Sequence, residues 1–235
     1  MLSAFLILGQ LQVAAPPSPR LTVYVASEAV DLVSRVHFGP EGATVEKVIK
    51  VDPRPSENDG PHNLNISPDG RYWYTSVAHG TPNGTLWKFE TATDSLVGTA
   101  VLSRFPATIG FSPDGEFAWV ANFNLYGDMV PSSVSVVYTP AMQEVARIPT
   151  CLMPHGMRVA ADGTRVVTGS EDSTARVWDV ASGQSLLVLR EHDGPVRGVA
   201  VTRDGKRLVT GSEGSHARVW DANTGEPIAS LNDLT

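Results

Sequence analysis

Short apolar runs alternate with polar turns along most of the chain, and one turn sequence, Asp-Gly, returns four times. Its aspartates are spaced 45, 48 and 42 residues apart, at Asp69, Asp114, Asp162 and Asp204. Asp-Gly favours a tight turn, because glycine readily adopts positive φ and aspartate hydrogen-bonds its own backbone. A strand-like run precedes each turn and another follows it, as at 64–66 and 72–75. The pattern therefore predicts a repeated β-hairpin.

The spacing of these turns matches one four-stranded blade of a β-propeller, which takes about 40–45 residues. Two further apolar runs follow each hairpin and complete a blade, and the residues before about 52 supply a first blade. Blades two to five are predicted at 61–102, 105–150, 151–190 and 191–231. We therefore predict an all-β fold, a β-propeller of about five four-stranded blades.

The composition agrees with this fold and excludes some partners. With 235 residues and 42% hydrophobic content, the chain can bury a sizeable core. No long amphipathic helical pattern interrupts the strand-like runs. The formal net charge of −7 and the lack of a basic stripe argue against a nucleic-acid partner. A single cysteine, Cys151, excludes an internal disulfide.

The amino-terminal segment has two interpretations. Residues 1–15 are apolar over about the length of a signal-peptide core, and Val-Ala-Ala at 13–15 fits a cleavage site. However, no Lys or Arg precedes the apolar run, which is also too short to span a bilayer. Alternatively, 1–15 supply the innermost strand of blade one, since 13–27 align with 198–212 without a gap. Export is the first expectation and a cytoplasmic location is the alternative.

Blades four and five resemble WD repeats. The sequence Arg-Val-Trp-Asp occurs at 176–179 and again at 218–221, and Thr-Gly-Ser-Glu precedes both copies. Two adjacent copies with near-identical spacing make the resemblance specific. We therefore assign 161–235 to WD-repeat-like blades.

The WD resemblance implies a hydrogen-bond network of Asp, His, Ser or Thr, and Trp across each blade. Each blade of this chain departs from that pattern at one position. Thr150 stands where blade four should have its histidine, and Gly214 replaces the aspartate of blade five. The residues that remain as candidate members of the network are Asp172, Trp178, His192 and Trp220.

Residues 16–160 instead resemble the YVTN-type propeller repeats of exported bacterial proteins. The marks are Val-Tyr-Val-Ala-Ser at 23–27 and a Pro-His pair ahead of two hairpins, at His62 and His155. This resemblance implies a periplasmic location. Its relatives include haem- and copper-associated redox proteins and lactonase-like enzymes. The chain is thus expected to join two repeat types near residue 160.

Both families usually close a ring of about seven blades, more than this chain supplies. Three outcomes are open: a closed five-blade ring, an incomplete ring that self-associates through open blade edges, and an unstable truncation. Unpaired strand edges bind other strands, so an incomplete ring predicts self-association.

The resemblance also implies where a ligand binds. In a propeller, the loops after the second and fourth strands of each blade open on one face, the top face. His62 and His155 stand at the same repeat position, and His79 lies in the loop after the second strand of blade two. Because long loops on a rigid scaffold carry binding residues, the insertion at 122–133 adds further candidates. These are Asn122, Asn124 and Asp128.

A second set of candidates predicts a metal or haem site. Cys151, Met153 and His155 alternate, so in an extended strand all three side chains point the same way. With His62 and His79, they offer thiolate, thioether and imidazole groups, which suit copper or haem iron. The structural alternative is that each Pro-His pair orients a loop and that the sulfur-containing side chains pack in the core.

No recognisable catalytic motif accompanies these residues: the sequence has no nucleophile elbow, zinc-binding His-Glu-x-x-His or phosphate-binding loop. We therefore expect a non-enzymatic interaction module that binds a protein partner or a small ligand with its top-face loops, without a cofactor. The alternative is an exported redox protein with copper or haem at the mouth of the central channel. Because propellers host many functions, the first expectation rests partly on the fold.

Overall fold

The computed structural model describes residues 21–52, 60–79, 82–125, 131–214 and 216–232. Nearly all of these residues belong to antiparallel strands or to the turns between them. Two predictions lie outside this part of the chain. They are the signal-peptide or inner-strand interpretation of 1–15 and the ligand candidate Asp128.

The strands form five sheets, which we call blades one to five. Blade one contains β1 (Leu21–Ser27), β2 (Leu32–Gly39) and β3 (Gly42–Lys50), with a 3₁₀ helix at Glu28–Val30. Blade two contains β4 (Pro61–Ile66), β5 (Tyr72–Val77), β6 (Thr85–Glu90) and β7 (Leu96–Val101). Blade three contains β8 (Pro106–Phe111), β9 (Phe117–Asn122), β10 (Pro131–Tyr138) and β11 (Gln143–Leu152).

The last two blades follow the same plan. Blade four contains β12 (Met157–Val159), β13 (Arg165–Gly169), β14 (Ala175–Asp179) and β15 (Ser185–Leu189). Blade five contains β16 (Val196–Val201), β17 (Arg207–Ser212), β18 (His216–Asp221) and β19 (Pro227–Asn232). In every blade the order of strands in space follows their order in the chain. The predicted all-β propeller of about five blades is confirmed, with three strands in the described part of blade one.

Each Asp-Gly turn has the conformation that its residues favour. In the turn between β4 and β5, the Asp69 carboxylate accepts hydrogen bonds from the Ser67 hydroxyl at 2.6 Å and from the backbone N–H of Arg71 at 3.0 Å. Together with a hydrogen bond from the Arg71 side chain, these bonds lower the pKa of Asp69 to about 2, with the Ser67 bond contributing most. Gly70 follows with a φ of 72°. The equivalent glycines of blades three, four and five have φ values of 74°, 72° and 68°.

The blades pack face to face in chain order. The innermost described strand of each blade, in the series β1, β4, β8, β12 and β16, contacts the next one. Apolar side chains from the two facing sheets fill each interface, as do Val33, Trp73 and Phe89 between blades one and two. Strands with a blade on both sides are buried almost continuously, as β5 and β9 are. Within the described residues β16 and β1 do not meet in this way, so the five blades form an open arc.

Successive strands run in opposite directions, so the connections alternate between two faces of the arc. The Asp-Gly turns lie on one face. The connection β5–β6 and those that lead into β4, β8 and β12 lie on the other, which is the top face. The β1–β2 connection also lies there, because Glu28 contacts His62 and His79. β1 therefore corresponds to the second strand of the other blades, in agreement with the alignment of 13–27 with 198–212.

Blade five contains three members of the predicted WD network in hydrogen-bonding contact. The indole N–H of Trp220 donates to the Thr210 hydroxyl at 2.7 Å, and His192 Nε2 lies 2.6 Å from the same oxygen. The other ring nitrogen of His192, Nδ1, is buried without a hydrogen-bond partner in the described residues. Gly214 supplies no carboxylate there, and a Cβ at this position would overlap the carboxylate of Asp193.

The structure of blade four corrects the prediction that Thr150 stands at the position of the WD histidine. Trp178 donates to the Thr168 hydroxyl at 2.9 Å, as its counterpart does in blade five. The side chain that approaches Thr168 is that of Cys151, near the end of β11, with its Sγ 3.8 Å from the hydroxyl. Cys151 therefore stands where blade five has its histidine. Asp172 accepts hydrogen bonds from Thr174 and pairs with Arg176, so it stabilises the β13–β14 turn.

Candidate binding site on the top face

A cleft of about 640 Å³ opens on the top face where loops from blades one, two and three meet. Imidazole, carboxylate and phenyl groups line it together. The lining residues are Glu28, Ala29, His62, His79, Phe105, Phe123 and Leu125. The cleft therefore combines polar groups with apolar walls, as ligand sites commonly do.

Glu28 is the polar centre of the cleft. Its Oε1 atom lies 2.8 Å from His62 Nδ1 and 2.7 Å from His79 Nε2, so one carboxylate oxygen joins two imidazoles. Partial burial raises the pKa of the Glu28 carboxyl, but the hydrogen bonds from His62 and His79 outweigh this effect and lower the pKa below its usual value. The carboxylate therefore stays ionised at neutral pH. Its second oxygen, Oε2, accepts no hydrogen bond from the described residues.

Local sequence fixes the position of Glu28. The 3₁₀ helix begins at Glu28 and ends at Val30, and the next residue, Asp31, has a φ of 54°. The Asp31 carboxylate accepts a hydrogen bond of 2.7 Å from the backbone N–H of Gly60, just before β4. A Cβ at Gly60 would lie 2.8 Å from atoms of both Glu28 and His79. Only glycine leaves room for the carboxylate and the imidazole to approach each other here.

The predicted histidines converge around two phenylalanines. The Phe105 ring lies 4.9 Å from the rings of both His62 and His79, in edge-to-face geometry. His155 lies 5.7 Å from His62 and 5.0 Å from Phe123. His62 and His155 belong to blades two and four, and the intervening blade has the small Ala107 at the equivalent repeat position. Burial lowers the pKa of His155, and the nearby His62 and Arg197 lower it further.

Cys151 and Met153 do not join the histidines as the alternating pattern predicts. The extended strand β11 ends at Leu152, and Met153 has a φ of 41°, so the alternation stops there. Cys151 points into the interior of blade four, and burial raises the pKa of its thiol. Met153 packs beneath the cleft with Phe105 and Phe123. In the part of the chain that the structure describes, no group of three or more His, Cys, Asp and Glu residues is arranged to hold a metal ion.

The candidates on the blade-three insertion have different surroundings. The Asn122 side chain is fully buried, and its amide donates to the hydroxyls of Ser133 and Ser135 at 3.0 and 2.9 Å. It therefore holds β9 and β10 together and is not available to a ligand. Asn124 lies half-buried beyond the end of β9, where its backbone N–H donates to the carbonyl of Arg104.

Sequence reasoning missed Glu28, Phe105 and Phe123. The available signal for Glu28 was the alignment of 13–27 with 198–212, which makes the β1–β2 loop equivalent to the loop that carries His79. The two phenylalanines are apolar residues next to predicted top-face loops. Their contacts with the histidines depend on how neighbouring blades pack, and no local sequence pattern predicts this packing.

A second cavity, of about 410 Å³, lies between blades two and three on the face with the Asp-Gly turns. Its most unusual group is the buried Lys88, whose Nζ donates to the carbonyl of Thr139 at 3.0 Å. The same nitrogen lies 4.0 Å from the centre of the Tyr72 ring. Burial lowers the pKa of Lys88, with a smaller contribution from Arg71. These contacts link blades two and three, and they give the buried Lys88 a structural role.

The comparison with protein families supports the assignment of the last two blades. The WD40 model, described as WD domain, G-beta repeat, matches residues 151–179 and 183–221. The resemblance predicted from the two Arg-Val-Trp-Asp sequences is therefore confirmed. WD40 repeats indicate a β-propeller interaction module.

A solved structure of hydrazine synthase from Kuenenia stuttgartiensis is similar to this chain, with a TM-score of 0.65 and 24% sequence identity. The similarity covers 73% of this chain and 49% of that one, so this chain spans about half the length of its structural neighbour. At this level of identity, the similarity supports the propeller-like fold alone. In the described residues, no helix has the length and apolar character needed to cross a membrane.

Proposed function

We propose that this chain is a non-enzymatic binding module that receives its partner at the top-face cleft centred on Glu28. The observation that carries the proposal is the convergence of loops from three blades on one carboxylate, two imidazoles and two phenyl rings. Such loops are free to vary while the strands below keep them in place.

The charge of the cleft supports a partner with basic or hydrogen-bond-donating groups. Glu28 keeps its carboxylate ionised, and Oε2 accepts no bond from the described residues. A lysine or arginine side chain of a protein partner supplies the N–H groups that this oxygen lacks, and hydrogen bonds of this kind are strong because both groups are charged. The net charge of −7 also favours a basic partner.

The test is a selection of peptides from a random library displayed on phage, with the purified chain as the target. Enriched peptides are expected to carry Lys or Arg and to bind about tenfold or more weakly to Glu28→Gln, since a hydrogen bond to a charged group contributes about 1.5–3 kcal/mol. The matched control is Glu116→Gln, an exposed glutamate in the β8–β9 turn on the opposite face. Equal affinities for wild type and Glu28→Gln, or no enrichment, would refute the proposal.

The predicted alternative of copper or haem at the channel mouth stays a prediction. His62, His79 and His155 do approach one another, but the first two are bonded to Glu28. A metal that used them would have to replace these hydrogen bonds.

A further inference from the structure

Blade five carries on its outer face the same kinds of side chain that blade four buries. Blade four packs four apolar residues against blade five: Val167, Ala175, Val177 and Leu189. At positions 42 residues later, blade five has Val209, Ala217, Val219 and Leu231. Strand pairing is also the same, because valine faces valine and alanine faces leucine in both sheets. In each blade the four side chains therefore share one face.

The two faces differ in what covers them. Leu189 is 2% exposed beneath blade five, whereas Leu231 is 58% exposed. Val209, Ala217 and Val219 are only half-buried. No described residue packs over this face as blade five packs over blade four. The outer face of blade five is therefore one half of an inter-blade interface, and no other half packs on it among the described residues.

Blade one presents the other half at the opposite end of the arc. Strand pairing places Val23 and Val25 on one face with Val36 of the neighbouring strand. This face points away from blade two, because the alternating residues Tyr24 and Val33 pack against blade two. Its exposed apolar side chains are Leu21, Val25, Phe38, Val45 and Val48. Contiguous exposed apolar side chains of this kind mark an interaction surface.

We propose that the outer face of blade five in one copy of this chain packs against the outer face of blade one in a second copy, head to tail. Each of the four internal interfaces joins the same two kinds of face, so the contact continues an interface that the chain already forms. A second copy is the occupant because the chain carries both halves and no described residue covers either of them. The contact is heterologous, so it adds copies until a ring closes.

This contact differs from the predicted pairing of open blade edges. Edge pairing joins backbone N–H and C=O groups of two strands, whereas face packing buries side chains of two sheets. Substitutions on the faces therefore separate the two modes, because they leave the backbone edges intact.

The test is sedimentation velocity of the full chain over a wide range of protein concentration. Val25→Glu disables the blade-one face and Leu231→Glu disables the blade-five face. Both side chains are exposed, at 46% and 58%, so the substitutions cost the monomer little, and thermal melts check this. Val97→Glu is the matched control, because Val97 is 52% exposed on β7 of blade two and lies on neither end face.

Wild type and Val97→Glu are expected to associate as concentration rises, and each face variant alone to stay monomeric. An equimolar mixture of Val25→Glu and Leu231→Glu should form dimers and nothing larger, since it retains one intact pair of faces. A wild type that stays monomeric overturns the proposal. Association of Leu231→Glu alone overturns it in favour of paired blade-one faces, and association of both single variants overturns it in favour of edge pairing.

Discussion

Blades four and five share the Thr-Gly-Ser-Glu and Ala-Arg-Val-Trp-Asp sequences and differ in what surrounds them. Their third strands, β14 and β18, share the sequence Ala-Arg-Val-Trp-Asp, and each tryptophan donates to a threonine on the adjacent strand. Blade four lies between two blades, whereas blade five has one neighbour among the described residues. The comparison shows that local sequence fixes the strand and its hydrogen bond, while the neighbouring blade decides the burial.

A second difference lies in the residue that meets each threonine. Blade five places His192 against Thr210, whereas blade four places Cys151 against Thr168. The imidazole forms a short hydrogen bond, and the thiol forms a long, weak contact. Both blades thus contain the tryptophan–threonine hydrogen bond, but the residue that contacts the threonine is histidine in blade five and cysteine in blade four.

The largest expected effect is the same in both blades. Trp178→Ala and Trp220→Ala should each lower the free energy of unfolding by about 3–5 kcal/mol, because each indole is buried in an inter-blade interface and bonded to a threonine. Urea unfolding followed by circular dichroism measures both losses. Losses below about 1 kcal/mol in both variants would contradict the packing of these blades.

Alanine substitutions of two equivalent leucines should have different effects on stability in blades four and five. Leu189→Ala is expected to cost about 2–5 kcal/mol, since the side chain is buried against blade five. Leu231→Ala, at the equivalent exposed position, should change stability by less than about 0.5 kcal/mol. The measurement is urea unfolding at a concentration where the chain is monomeric. Equal losses would mean that something covers the blade-five face in solution.

The smallest effects should appear at opposite ends of the pH range. Burial lowers the pKa of His192, and Arg218 lowers it further by a smaller amount. The stabilisation that neutral His192 provides is therefore complete above about pH 6.5, and it is lost as pH falls through the folded pKa. Burial raises the pKa of Cys151, so its contribution is complete below about pH 8.5 and is lost as pH rises through the folded pKa.

Two variants test this opposition. His192→Gln should flatten the acid side of a plot of unfolding free energy against pH, and Cys151→Ala should flatten the alkaline side. Urea unfolding at acid, neutral and alkaline pH supplies the plot. Unchanged slopes in both variants would show that other groups govern the pH dependence.

The top-face site was predictable in part. The Pro-His pairs marked His62 and His155 as equivalent, and the loop position of His79 placed it on the same face. The contacts of His62 and His79 with Glu28 and Phe105 were not predictable, because Glu28 and Phe105 lie on other blades and reach the histidines only through blade packing. The prediction that Cys151, Met153 and His155 point the same way is wrong, because strand β11 ends at Leu152, between the first two residues.

The sequence alone determined the strands and turns of each blade and the number of blades. The Asp-Gly turns, the period of the apolar runs and the Arg-Val-Trp-Asp copies are local signals, and each acts through bonds within a few residues or one hairpin. Tertiary structure decided which faces are buried, which histidines share a carboxylate and which apolar faces stay uncovered. These depend on contacts between sheets tens of residues apart in the chain. Leu189 and Leu231 stand at equivalent repeat positions, yet Leu189 is buried and Leu231 is exposed, because only blade four has a described blade packed over that face.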